Sequence, residues 1–439
     1  MTTPPLRPQH FPVIEGEVVR TDRDVPLDDR RRRASTAAMA ARMAGREPDA
    51  PSLIASADGA IARMLMTIPS YAVREPAGAD SNPYAAAYRD MLGKLPAGIE
   101  LLVLTHEGVA QEVAAWLDAA GRADRACLVA ADDFLGFSVW AEDAYVVIAE
   151  DGKRSAFVEP AAFGRYGDAL VADRVSDAGD LGLFQAPLHL QGGNVLIGDE
   201  FFLIGLDYPI LTFEEGILEA PPGQELDVLL AVYRRYLDAK REFVPVASQL
   251  PVPSAQQRQF ELDGGTWVES IYAGNAPGTR QPLFHVDMFI SLAGRARNGR
   301  YRLVVGDPRE AARILDAPLQ PHAMAEIFDD IARQLEARGF EVHRNPLPLV
   351  YADDEQRRLR RWYFATSNNA LVHRPEGGRP TVLLPTYGHG AFEELVATDA
   401  RNREVWEGLG YDVVQLGDFH AFAVNLGAVH CVKKYLGRA

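Results

Sequence analysis

The stretch Phe284-His285-Val286-Asp287-Met288-Phe289-Ile290-Ser291 crosses a basic, glycine-containing turn over 295–300 and leaves on Tyr301-Arg302-Leu303-Val304-Val305. Two apolar runs around a polar turn are a hairpin signal, so strands are expected over 285–292 and 301–306. Within the first run, His285 and Asp287 are polar groups set among apolar ones. Residues two apart on a strand share a face, so the two are expected to project together while Val286 faces away. Burying such groups costs free energy unless they find partners. Alone, a His-x-Asp pair fits a hydrogen-bonded couple at a sheet edge as well as a catalytic site.

The same alternation recurs outward from this hairpin. Apolar runs predict strands over 99–105, 126–131, 139–149, 194–205, 340–343, 381–384 and 411–416, with a last apolar segment over 421–432. Apolar spacings of three and four predict helices over 108–120, 226–239, 311–315, 323–338 and 391–409. This rhythm excludes all-α and all-β classes and predicts an α/β domain over 51–439. Ahead of it, residues 1–50 carry Pro4, Pro5, Pro8 and Pro12, then Asp28 and Asp29 beside the arginines 30–33, then an alanine-rich run closed by Gly45. A loose, partly disordered extension ending in a short surface helix is expected, with the arginines as a solvated helix end.

A chain of 439 residues with 47% hydrophobic content can bury a large core, and its net charge of -16 argues against nucleic acid or an anionic membrane as partner. Its two cysteines build no disulfide framework, and no Cys/His spacing suits zinc. Neither a dinucleotide nor a P-loop glycine motif is present, and no metal or cofactor is expected. No apolar run reaches the ~20 residues needed to span a bilayer. The N-terminus lacks the apolar segment of a signal peptide, and the cytoplasm is the expected compartment. Cys127, in Arg125-Ala126-Cys127-Leu128-Val129-Ala130, reads as core; His189 and His389 read as surface or structural.

Three further segments share the polar-in-apolar character of 285–287: Trp140-Ala141-Glu142-Asp143, Gln191-Gly192-Gly193-Asn194 and Val429-His430-Cys431. The ordered set resembles the guanidine-modifying superfamily of deiminases and amidinotransferases, and most of all the catalytic domain of the protein-arginine deiminases. The family's W-x-x-D matches Trp140 to Asp143, its H-V-D-x-F-x-S matches His285 to Ser291, and its terminal V-H-C matches Val429 to Cys431. The resemblance implies a five-bladed α/β-propeller of ββαβ modules (the pentein fold).

It also implies a mechanism. A thiolate is nucleophile enough for the delocalised guanidinium carbon, and carboxylates match guanidinium N–H groups in bidentate fashion. By resemblance, Cys431 attacks, Asp143 and Asp287 grip the guanidinium, and His285 serves as general acid and then base. Trp140 would line the substrate's stem, with Gln191 and Asn194 as further substrate-binding residues. His430 is expected to face away from Cys431 in an extended segment. Small-molecule deiminases of the family usually carry a glutamate where this chain has Gln191, and some protein-arginine deiminases an arginine where it has Asn425. The implied partner is an arginine-containing peptide, giving peptidyl citrulline, and a homodimer is compatible with the resemblance. An amidinotransferase, a deiminase of free arginine or agmatine, and a non-catalytic arginine-binding relative stay open.

Overall fold

The computed structural model describes residues 6–7, 46–76 and 81–439. Most of the expected extension, with its arginines and alanine-rich helix, lies outside the described residues. The chain forms two compact units. Of the described residues, the first takes 6–7, 75–76, 81–94 and 246–430, and the second takes 46–74, 95–245 and 431–439. The chain therefore passes from one unit to the other at the His430–Cys431 peptide bond.

In the first unit, strand Tyr301–Asp307 runs antiparallel to Ile290–Arg295 and parallel to Glu341–Pro346. Strand Thr381–Thr386 has the same neighbours, Leu371–His373 antiparallel and Asp412–Asp418 parallel. Middle strands are covered on both faces and read as continuous apolar runs, as Leu303, Val304 and Val305 do at 0% exposure. Between the second and third strands the chain crosses through helices. Helix Ala325–Ala337 buries Ile327, Phe328, Ile331 and Leu335 on one stripe. Phe328 meets Phe289 and Phe364 edge-on at 5.6 and 5.5 Å. A further sheet joins the hairpins Gln256–Leu262/Gly265–Ile271 and Leu349–Asp354/Leu359–Phe364.

The second unit repeats the module. Arg154–Glu159 runs antiparallel to Val146–Glu150 and parallel to Gly182–Gln185. Phe201–Gly205 lies between Val195–Ile197 and Glu242–Val246. Ile61–Ile68 runs antiparallel to Lys433–Arg438 and parallel to Glu100–His106, beyond which lies Ala126–Ala131. Helix Val171–Gly179 packs Val171, Ala172 and Val175 into an apolar cluster with Leu102, Val147 and Phe157. Among the described residues, each of the six sheets has an inner strand with an antiparallel neighbour on one side.

The structure corrects four expectations. Strand 285–292 begins only at Ile290, because Val286–Met288 is a 3₁₀ turn; His285 and Asp287 are not on one strand face. Residues 139–145 are turns ahead of strand Val146–Glu150 rather than strand. The last apolar segment is a short helix, His420–Ala423, followed by turns, and the strand comes after it at Lys433–Arg438. Cys127 is exposed rather than core, since Ala126–Ala131 is the outer strand of its sheet. Among the described residues, no helix is long and apolar enough to cross a membrane.

One ion pair fixes the hairpin sheet. Asp353 and Arg360 are cross-strand partners joined by two 2.8 Å hydrogen bonds, with side chains 0% and 1% exposed. The guanidinium also lies 3.9 Å over the Tyr351 ring. Removing one partner strands a buried charge, so Asp353→Ala is expected to cost about 3–5 kcal/mol in urea unfolding, and the double change Asp353→Ala/Arg360→Met distinctly less.

Candidate active site

All four polar segments stand at one topological position, immediately before the first strand of a module. Residues 140–143 precede Val146–Glu150, 191–194 precede Val195–Ile197, 285–287 precede Ile290–Arg295, and 429–431 precede Lys433–Arg438. A fifth segment, Thr366-Ser367-Asn368-Asn369, precedes Leu371–His373 and is equally buried. The sequence reading missed it. Its signal was the one shared by the others, a polar run directly ahead of an apolar strand.

In the first unit, three of these segments interlock. Asn369 is fully buried, and its Oδ1 accepts from the backbone N–H groups of Ala428 (3.0 Å) and His430 (2.8 Å). Its Nδ2 donates to the Asp287 carbonyl at 3.5 Å. The Thr366 hydroxyl donates to the Met288 carbonyl, and the Ser291 hydroxyl to the Asn368 carbonyl, both at 2.6 Å. His285 is 0% exposed and stacks on Phe284 at 3.9 Å. Asp287, 1% exposed, has its Oδ2 2.8 Å from His430 Nδ1. His430, expected to face away, is thus a partner of one of the expected guanidinium carboxylates. The segment is a turn rather than extended chain, so strand alternation does not apply to it. Asn425, where an arginine stands in some relatives, donates to Tyr84 Oη and the Ala421 carbonyl.

The second unit holds the other half of the expected set. Cys431 is buried, and its carbonyl accepts from the Glu142 N–H at 3.1 Å. The Gly192 N–H donates to the Asp143 carbonyl at 2.9 Å, which joins the 191–194 turn to the same cluster. A Cβ on Gly192 would lie 1.9 Å from the Glu142 carbonyl oxygen and 2.7 Å from that of Tyr145, so the position admits only glycine. Trp140 is 7% exposed, and its backbone N–H donates to Ser138 Oγ at 3.2 Å. Asn194 is fully buried and donates to the Gly205 carbonyl at 3.1 Å, bracing its hairpin. Gln191 is half-buried at the start of the turn.

Two ionic groups around Asp143 were not foreseen. Glu142 takes the ammonium groups of Lys433 (2.9 Å) and Lys434 (2.7 Å), and all three side chains are buried. Burial, then repulsion from Lys433, lowers the Lys434 pKa against the pull of Glu142. Asp143 Oδ2 meets the Arg165 guanidinium at 2.5 Å, and Arg165 also holds Asp168 at 2.6 Å. Burial raises the Asp143 pKa, and Arg165 opposes that rise. Asp168 accepts in turn from the Ser138 N–H and hydroxyl. His189 pairs with Glu215 at 2.6 Å, and His389 with the Thr386 hydroxyl at 2.7 Å. Among the described residues, no three His, Cys, Asp or Glu side chains form a metal-holding group.

No family model matches the sequence, and no curated protein does. Solved structures do. Agmatine deiminase of Enterococcus faecalis matches with a TM-score of 0.59 at 12% identity, over 90% of this chain and 99% of that one. Agmatine deiminase of C. jejuni matches with a TM-score of 0.53 at 13% identity, over 89% and 97%. A Porphyromonas gingivalis protein designated an arginine deiminase matches with a TM-score of 0.59 at 16% identity, over 87% and 97%. The chain has the fold of these guanidine-modifying proteins.

Asn369 gives the interlocked segments a direct test. Asn369→Ala leaves two buried N–H groups without their acceptor, at about 1–3 kcal/mol each. The expected result is a lower unfolding midpoint in urea, whereas Asn369→Asp, which keeps the acceptor oxygen, retains the larger part of the stability.

Proposed function

We propose that this protein is a thiol-dependent deiminase that converts a guanidino group to a ureido group with release of ammonia. The observation supporting it concerns two adjacent residues. His430 Nδ1 is hydrogen-bonded to the Asp287 carboxylate, and the Cys431 carbonyl accepts from the backbone N–H of Glu142, so the His430-Cys431 dipeptide is bonded to one expected guanidinium carboxylate and to the residue that precedes the other. In addition, Asp143 already holds a guanidinium, that of Arg165.

The chemistry runs in two steps. The Cys431 thiolate adds to the guanidinium carbon, the C–N bond breaks, and ammonia leaves with a proton from His285, giving an S-alkylthiouronium. His285 then takes a proton from water, hydroxide adds to the same carbon, and the C–S bond breaks to give the thiolate and the ureido product, whose hydroxyl proton is lost to the released ammonia or to solvent. Asp143 and Asp287 hold the planar N–H groups throughout. Trp140 flanks the stem of the substrate, Gln191 contacts it, and Asn194 keeps the turn carrying Gln191 in shape. A free thiol of this kind suits the reducing cytoplasm.

Two substrate readings each have support. Gln191 in place of a glutamate favours peptidyl arginine, where two aspartates serve. The fold match across nearly the whole length of agmatine deiminases favours a small guanidine such as agmatine or arginine. Incubation with an arginine-containing peptide, free arginine and agmatine decides between them through the ureido product. Equimolar ammonia is expected, and Cys431→Ala should lower turnover on the order of 10⁴–10⁶-fold. Amidino transfer to an added amine without ammonia would replace the deiminase reading by a transferase.

The pH profile tests Asp143. Its carboxyl must be ionised to bind a guanidinium, and burial raises its pKa above the ordinary 3.8. The acid limb of kcat/KM should therefore lie above that value. Arg165 favours the ionised form, so Arg165→Gln is expected to move the limb to higher pH; a limb unmoved by the substitution would remove Asp143 from the binding step.

A further inference from the structure

Every polar group of Glu142 is bonded to the stretch that begins at Cys431. Its N–H donates to the Cys431 carbonyl at 3.1 Å, and its carbonyl accepts from Lys434 Nζ at 3.4 Å. Its two carboxylate oxygens accept from Lys433 and Lys434 at 2.9 and 2.7 Å. A Cβ on Gly192 would lie 2.5 Å from Lys434 Nζ, so the glycine of the 191–194 turn is what admits that ammonium group. Stability alone does not account for the arrangement. A buried ion pair recovers little beyond the desolvation of its charges, and apolar residues of similar volume often serve as well. We propose that Lys433 and Lys434, held by Glu142, are positioning residues for Cys431: they fix it against the segment that carries Asp143 and favour its thiolate.

The distribution of charge supports the second part. Glu142, Lys433 and Lys434 together carry one net positive charge, and the two lysines follow Cys431 directly on its own segment. Asp143, Asp168 and Arg165 together carry one net negative charge, at a carboxylate expected to hold a guanidinium. An anionic nucleophile and a cationic substrate need opposite surroundings, and the two triads supply them from adjacent residues. Cations beside a thiol favour its ionised form, and buried ones are screened little by salt.

The neighbouring groups leave that balance in place. On strand Ile61–Ile68, the residues paired with Lys433 and Lys434 are the uncharged Met66 and Leu65. Tyr145 lies 6.0 Å from the Lys434 ammonium, and burial pushes its phenol well above the ordinary pKa, so it stays neutral. Arg438 shares the Tyr435 ring with Lys433 and adds positive charge. Burial lowers the Lys434 pKa, and Glu142 opposes that fall and so keeps the side chain charged.

The test is the ionisation of Cys431, read as ultraviolet thiolate absorbance in the full-length Cys127→Ser protein, where it is the one remaining cysteine. Lys434→Met removes one positive charge, and the thiol pKa is expected to rise by about one unit, a roughly tenfold smaller thiolate fraction at neutral pH. The double change Glu142→Gln/Lys434→Met restores the net charge through Lys433 and should bring the thiol most of the way back. An unmoved thiol in Lys434→Met overturns the proposal, and so does a double variant no closer to the parent than the single one. A role in stability alone would lower the unfolding midpoint and leave the thiol where it was. If either variant does not fold, the Cys127→Ser protein decides: its folded thiol must titrate below the value it has in urea, and a higher value overturns the proposal. The inference rests on Cys431 as the proposed nucleophile. Its titration needs no turnover, so the expected shifts without conversion of any guanidino compound would end the deiminase reading alone.

Discussion

Backbone groups buried at the head of a strand must be paired, and this requirement shapes every polar segment in the molecule. The primary amide of Asn369 meets it for the first unit, where one side chain accepts from two N–H groups of the 428–430 turn and donates to the Asp287 carbonyl. In the second unit the backbone does the same work directly, from Glu142 to Cys431 and from Gly192 to Asp143. Such turns cannot drift without leaving a buried donor unpaired. The side chains they carry, His285, Asp287, Asp143 and Cys431, inherit that fixity.

Charge is handled just as closely around Asp143. Glu142, Asp143 and Asp168 face Arg165, Lys433 and Lys434, so three carboxylates are matched by three cations. A buried, balanced cluster loses more from the deletion of one member than it gains from any single pair, because the remaining charge has no water to solvate it. The raised Asp143 and lowered Lys434 pKa values both have burial as their largest cause.

Much of this was legible in the sequence. The mixed strand and helix rhythm, the hairpin at 290–307 and most helices follow from apolar spacing. The polar segments stood out because they interrupt apolar runs. What escaped has physical reasons. Local periodicity cannot reveal that 286–288 coils into a 3₁₀ turn, since that depends on partners eighty residues away in Thr366 and Asn369. The pairing of Lys433 and Lys434 escapes a local reading because their partner, Glu142, lies nearly three hundred residues earlier. Cys127 reads as core because an outer strand and an inner one can share the same composition. Arg165 carries no motif at all.

Strand Lys433–Arg438 pairs with Ile61–Ile68, an antiparallel contact spanning most of the described chain. Contacts of such sequence separation form late and slowly, since closing a long loop precedes any gain from pairing. During synthesis, Ile61–Ile68 waits beside Glu100–His106 with one edge uncovered until residues 433–438 have emerged. Cys431 lies two residues ahead of the strand that finally covers it. The thiol therefore takes its place only as the sheet is completed, and a partly made chain carries Asp143 and Asp287 without a positioned Cys431.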